Sequence, residues 1–83
     1  MKDALLALPD TLKAVVPFTS SALEAAVRNL AESYQVKAAA LIHATRVAVT
    51  GRAVSPGLFD VLELMGPERV TTRVRDAIKF LPE

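Results

Sequence analysis

Apolar residues recur along this chain at spacings of three and four, which places them on one face of a helix. A half-buried strand would instead alternate strictly between apolar and polar positions. Five series follow the helical rule: Leu5, Leu8 and Leu12; Leu23, Ala26, Val27, Leu30 and Tyr34; Val36, Ala39, Ala40 and His43; Leu58, Val61, Leu62 and Met65; and Val70, Val74, Ala77 and Leu81. The pattern therefore predicts an all-α fold.

Capping and breaking residues set the bounds of these helices. Thr19, with Phe18 before it and Leu23 after it, predicts an N-cap with a hydrophobic staple, while Ser21 and Glu24 form a competing capping box. Gly51 follows a long helical pattern, where a left-handed glycine commonly ends a helix. Ser55-Pro56 and Gly66-Pro67 are typical of helix starts. The predicted helices span 2–15 (with a break near Pro9 as the alternative), 20–33, 35–50, 56–65 and 67–80.

The whole chain, residues 1–83, is expected to form one compact bundle of about five helices. Its 83 residues suffice for only one small domain. The 52% hydrophobic content can supply a core, and no linker or repeat divides the sequence. The third predicted helix is apolar nearly all round, so we expect it to be the central, most buried element.

The composition excludes several kinds of site. With no cysteine and a single histidine, the chain lacks disulfides, thiolate zinc sites and multi-histidine metal sites. Asp60 and Glu63 share a helix face, which is more often solvated than catalytic, and no nucleophile elbow or Walker loop is present. We therefore predict no catalytic residue and no metal. No apolar run is long enough to cross a membrane, and no secretory signal is evident, so the prediction is a soluble, cytoplasmic domain.

The charges are unevenly distributed, although the net charge is only +1. From Ser33 through Phe59 there is no acidic residue, while Lys37, Arg46 and Arg52 are present. Arg46 stands near the end of an otherwise apolar helix. Two interpretations remain open for it: a helix-capping arginine that pairs with Asp60 or Glu63, or an arginine offered to an anion or a base edge. Arg69 and Arg73, with Asp76, most simply form a solvated charged face.

Two runs of residues, 46–52 (RVAVTGR) and 55–59 (SPGLF), resemble the C-terminal anticodon-binding domain of bacterial-type glutamyl-tRNA synthetases. Met65-Gly66, Glu68-Arg69-Val70 and Arg73 fit the helices that follow in that family. The strong match covers residues 35–80, whereas residues 1–34 fit only in pattern. One departure is visible: the family often has Pro-Leu before the arginine, where this chain has Ala44-Thr45.

This resemblance implies that the chain contacts the anticodon loop of the tRNA for glutamate. RNA sequence is generally read on unstacked bases in loops. The residues implied in RNA binding are Arg46, Thr50, Gly51, Arg52, Ser55, Pro56, Gly57 and Leu58. Arg46 would donate to an anticodon base, and Ser55, Pro56 and Leu58 would form the wall and main-chain contacts of the next one. The amides at the start of the following helix also suit a phosphate.

The resemblance also implies what lies outside the chain. The other expected partner is the remainder of the synthetase, and the ATP of the reaction belongs to a catalytic domain whose signatures are absent here. This chain is therefore expected to bind no cofactor and to be no enzyme on its own. The alternative is a helical protein–protein interaction or oligomerisation module without RNA binding. Phe59 and Leu64 fall partly off the apolar face of their helix, which would suit such a module.

Overall fold

Five α-helices make up the fold in a computed structural model that describes residues 2–52 and 57–79. In chain order they are α1 (Lys2–Lys13), α2 (Ser20–Ser33), α3 (Ala38–Thr50), α4 (Leu58–Met65) and α5 (Pro67–Lys79). No strand occurs among these described residues. The all-α prediction is thus confirmed, with each helix at its expected place in the sequence.

The first two helices differ from the prediction only at their ends. Helix α1 runs through Pro9 without a break and ends at Lys13, two residues earlier than expected. The Oγ1 atom of Thr19 accepts a hydrogen bond from the Ala22 amide at 3.4 Å, so Thr19 is the N-cap of α2. The structure therefore favours Thr19 over the competing box at Ser21.

A left-handed residue separates α2 from α3. Gln35 has a φ of 55°, and the amide of Val36 donates to the Ala31 carbonyl at 2.9 Å. The chain cannot continue a helix through such a turn, so α3 begins at Ala38 and the predicted start at residue 35 is wrong. At its other end, Gly51 has φ 72° and ψ 11°. The predicted left-handed glycine cap is confirmed.

The core lies between helices that each present one apolar face. Helix α1 packs against α2 and α5, α3 packs against α2 and α5, and α4 lies across α2 and α5. The largest fully buried side chains are Leu8, Leu12, Leu23, Leu41, Leu58, Leu62, Val27, Val49, Val70, Val74 and Thr45. A hydrogen bond also connects α4 to α2, because Oε1 of Glu63 accepts from the Ser20 amide at 2.6 Å.

Helix α3 is not the enclosed central helix that its composition suggested. Only Leu41, Thr45 and Val49 are buried, while His43 is exposed and Val47 is 42% exposed. Its neighbours pack along one stripe, and the alanines elsewhere on the helix are too small to require cover. Thr45 is completely buried, and its hydroxyl donates to the Leu41 carbonyl at 2.8 Å.

Candidate nucleic-acid interface

The candidate site begins at the carboxyl end of α3, where side-chain and main-chain hydrogen bonds fix the last turn. Arg46 is half-buried one turn before the end. The Thr50 hydroxyl donates to the Arg46 carbonyl at 2.7 Å, and it accepts from the Arg52 amide at 3.1 Å. The Gly51 amide donates to the Val47 carbonyl at 2.8 Å. Hydrogen bonds therefore connect four of the sequence-predicted residues, 46 and 50–52, within the last turn and cap of α3.

The site continues at the start of α4, where Gly57 has a φ of 28° and is exposed. A Cβ atom at this position would lie 2.7 Å from the Oδ2 atom of Asp60, so the carboxylate of Asp60 lies directly over Gly57. An acidic group there already compensates the positive end of α4. The expectation that the first amides of this helix suit a phosphate is thus disfavoured by Asp60.

Leu58 does not fit the role that the resemblance implied for its side chain. It is only 2% exposed and belongs to the core, so it cannot form the wall of a base pocket. Its main chain stands at the first position of α4, and this is the part of the residue that borders the site. Ser55 and Pro56, the two other predicted contacts in this loop, lie outside the described residues.

Sequence reasoning missed the part played by Arg73, which we had assigned to a solvated charged face. Its Nη1 atom donates to the Val49 carbonyl at 2.9 Å and so connects α5 to the last turn of α3. Beside this contact lies a shallow groove of about 350 Å³, whose lining includes Thr50, Gly51 and Asp76. The one signal in the sequence was weak: α3 has no basic residue in its own last turn.

The carboxylates near the site are engaged in local contacts. Glu63, which the sequence offered as a partner for Arg46, accepts from the Ser20 amide. Asp76 pairs with Lys79 at 3.4 Å. Arg69 is exposed and lies on the same face of α5 as Arg73, one turn closer to the amino end of the helix. Arg46 and Arg52 lie at the end of α3, and Arg73 contacts it from α5.

Other kinds of site receive no support from the geometry. Residues 2–52 and 57–79 contain no group of three or more histidine, aspartate or glutamate side chains placed to hold a metal ion. Among the same residues, no helix is long and apolar enough to cross a membrane.

A small helical domain with arginines around a helix end has the kind of basic surface that is typical of nucleic-acid-binding modules. Comparison with known families makes the assignment specific. Residues 1–78 match the family model described as "Anticodon binding domain". The chain belongs to this anticodon-binding domain family. The match also covers residues 1–34, where the resemblance rested on pattern alone.

Curated relatives with similar sequences carry the name glutamate–tRNA ligase. Glutamate–tRNA ligase 1 of Caldanaerobacter subterraneus subsp. tengcongensis is 42% identical over 81 residues, which are 98% of this chain and 17% of the relative. Glutamate–tRNA ligase 2 of Caldicellulosiruptor saccharolyticus is 47% identical over 75 residues, 89% of this chain and 16% of the relative. This chain thus spans about one sixth of the length of such relatives. No solved structure matches it.

Proposed function

We propose that this domain reads the anticodon loop of the tRNA for glutamate as one part of a glutamate–tRNA ligase. The observation that carries the proposal is the family match over residues 1–78, together with relatives of that name at 42 and 47% identity. In this proposal the catalytic domain, with its ATP, lies elsewhere in the ligase. The complete protein acts in the cytoplasm, where tRNAs are charged for translation.

Arg46 is the residue that we assign to base recognition. It is half-buried on a continuous helix, so its backbone is fixed relative to the loop that follows Gly51. A guanidinium presents several donors in a rigid plane and can bind two acceptors of one base edge at once. Thr50, one turn later on the same face, is held against the Arg46 carbonyl. This arrangement supports a preorganised donor for an unstacked base.

Arg52 and the loop leading to Gly57 complete the proposed surface. Arg52 is exposed, and its amide is bound by Thr50, so its backbone position is set by the end of α3. Ser55 and Pro56 remain proposed contacts through their place between the two ends of the loop. Leu58 enters the proposal only through its main chain, because its side chain is in the core.

Binding of a fluorescent anticodon stem–loop to the isolated domain tests the proposal. The wild-type domain should bind the glutamate anticodon loop more tightly than a loop with one anticodon base changed. The affinity should also fall steeply as salt rises. Arg46→Ala should reduce the preference by roughly 5- to 150-fold, the range expected for one bidentate base contact. In the full-length ligase the same change should raise KM for tRNA more than it lowers kcat.

Arg28→Ala is the matched control. Arg28 is also a helical arginine, but it lies on α2, where it pairs with Glu24 at 2.9 Å. Its removal should leave anticodon preference unchanged. A melting curve of Arg46→Ala must be recorded first. If this variant unfolds, or if it folds and keeps the full anticodon preference, Arg46 does not read a base.

The interaction-module alternative is not favoured by the exposed apolar residues. Leu64 is 87% exposed, but Phe59, the other residue expected in an apolar patch, is half-buried against the core. An exposed leucine without an exposed Phe59 beside it is ordinary on a protein surface.

A further inference from the structure

A side-chain cation from α5 contacts the carboxyl end of α3. The last four carbonyl groups of any α-helix lack partners within the helix. In α3 the Val47 carbonyl accepts from the Gly51 amide at 2.8 Å, and the Val49 carbonyl accepts from Arg73 Nη1 at 2.9 Å. Since α3 has no basic residue in its own last turn, the arginine comes from another helix, 24 residues further along the chain.

This contact affects both the position and the charge of the end of α3. Exposed carbonyl groups make the carboxyl end of a helix equivalent to roughly half a negative charge. The candidate RNA-binding loop leaves α3 at that end, where an uncompensated negative charge would repel RNA phosphates. The guanidinium of Arg73 compensates this charge and also holds the last turn of α3 against α5.

Arg73 is nevertheless a poor candidate for a direct base contact. The Nη1 atom is already used by the Val49 carbonyl, and the groove beside it contains Asp76. Arg69, one turn earlier on α5, is exposed, and it makes no hydrogen bond or ion pair within the part of the chain that the structure describes. The two arginines therefore share a helix and an exposed face but differ in their contact with α3.

We propose that Arg73 is a positioning residue for anticodon recognition. By binding the Val49 carbonyl, it fixes the end of α3, which carries the proposed RNA contacts Thr50, Gly51 and Arg52. This inference rests on the proposed function, and it adds a residue that does not itself touch the RNA. It acts through the last turn of α3, and so through Thr50, Gly51 and Arg52.

Three variants of the domain separate positioning from the other roles. Arg73→Met keeps the length of the side chain but removes its charge and its donors. Arg73→Lys keeps the charge and one ammonium donor group. Arg69→Met removes an arginine from the same face without touching α3. For each variant we would measure the melting temperature, hydrogen exchange at the Gly51 amide, and binding of the glutamate anticodon stem–loop and its single-base variant over a series of salt concentrations.

Arg73→Met should speed exchange at the Gly51 amide and lower the preference for the correct anticodon by roughly 3- to 10-fold. Because Arg73 contacts no phosphate, the salt slope of binding should not fall by the roughly 0.7 that one lost phosphate contact would give. Arg73→Lys should recover much of both properties. Arg69→Met should leave the exchange rate and the anticodon preference unchanged.

Several results would overturn the proposal. If Arg73→Met keeps the preference but lowers the salt slope by about 0.7, Arg73 contacts a phosphate directly. If it melts at a lower temperature yet binds both loops like the wild type when folded, its role is only structural. If the wild-type domain does not distinguish the two loops, the proposed function itself fails. The exchange rate of the Gly51 amide would then still show whether Arg73 holds the end of α3.

Discussion

Gly51 offers a test of how the backbone ends α3 and begins the proposed recognition loop. Its φ of 72° lies in the left-handed region, where a side chain on an L-residue meets its own backbone. Apart from the two chain neighbours of Gly51, no heavy atom of residues 2–52 and 57–79 lies within 4 Å of a Cβ atom added at this position. The cost of Gly51→Ala is therefore expected to come from backbone conformation, because none of these residues crowds the added methyl group.

The expected magnitude combines two opposing effects. An L-residue in the left-handed conformation costs roughly 1–2 kcal/mol. Replacing glycine also restricts the unfolded chain, which stabilises the native state by about 0.4–1 kcal/mol. Gly51→Ala should therefore destabilise the domain by a net of at most about 1.6 kcal/mol, and by about 0.8 kcal/mol at the middle of both ranges. In a domain of this size, a change of 1 kcal/mol moves the melting temperature by about 4–8 °C. Gly51→Val should cost more, because a β-branched residue is further restricted.

A D-alanine at position 51 provides a matched control. At 83 residues, the chain is short enough for chemical synthesis. The two alanine enantiomers restrict the unfolded chain equally, so the difference between them isolates the strain in the folded state. The D-alanine variant should be more stable than wild type by about 0.4–1 kcal/mol.

Thermal and urea unfolding, followed by circular dichroism, would measure these differences. The analysis requires a two-state transition, which small single domains usually show. Equal stability of the two alanine variants would refute the left-handed conformation of Gly51. If the L-alanine variant instead proves folded and fully stable but loses anticodon preference, the strain has been relieved by movement of the loop.

Three further substitutions test α4 and its contact with the start of α2. Leu62 is completely buried and Leu64 is 87% exposed. Leu62→Ala should therefore lower the free energy of unfolding by about 2–5 kcal/mol, while Leu64→Ala should change it by less than about 0.5 kcal/mol. Similar losses for both variants in urea unfolding would contradict the burial of Leu62 and the exposure of Leu64. Glu63→Gln removes the charge from the acceptor of the Ser20 amide and should cost about 0.5–1 kcal/mol, and an unchanged melting temperature would show that this cap contributes nothing.

The helices and most of their ends could be predicted from the sequence alone. Apolar spacing depends only on neighbours three and four positions away, and caps such as Thr19 and Gly51 act within one turn. Such local signals can be read without knowing the fold. They failed at Gln35, which was predicted as the first residue of the third helix but has a left-handed backbone conformation. The family resemblance also came from local runs of residues, and the family match confirmed it.

Which apolar and charged side chains lie at the site depends on the tertiary structure and could not be predicted from the sequence. The composition of α3 suggested burial all round, but its neighbours cover one stripe and leave Val47 at 42% exposure. Leu58 stands within the motif and yet lies in the core. Arg73 reaches the Val49 carbonyl across 24 positions of sequence. Periodicity records which residues share a face of one helix, whereas contacts between helices depend on how those faces meet in space, and no local pattern contains that information.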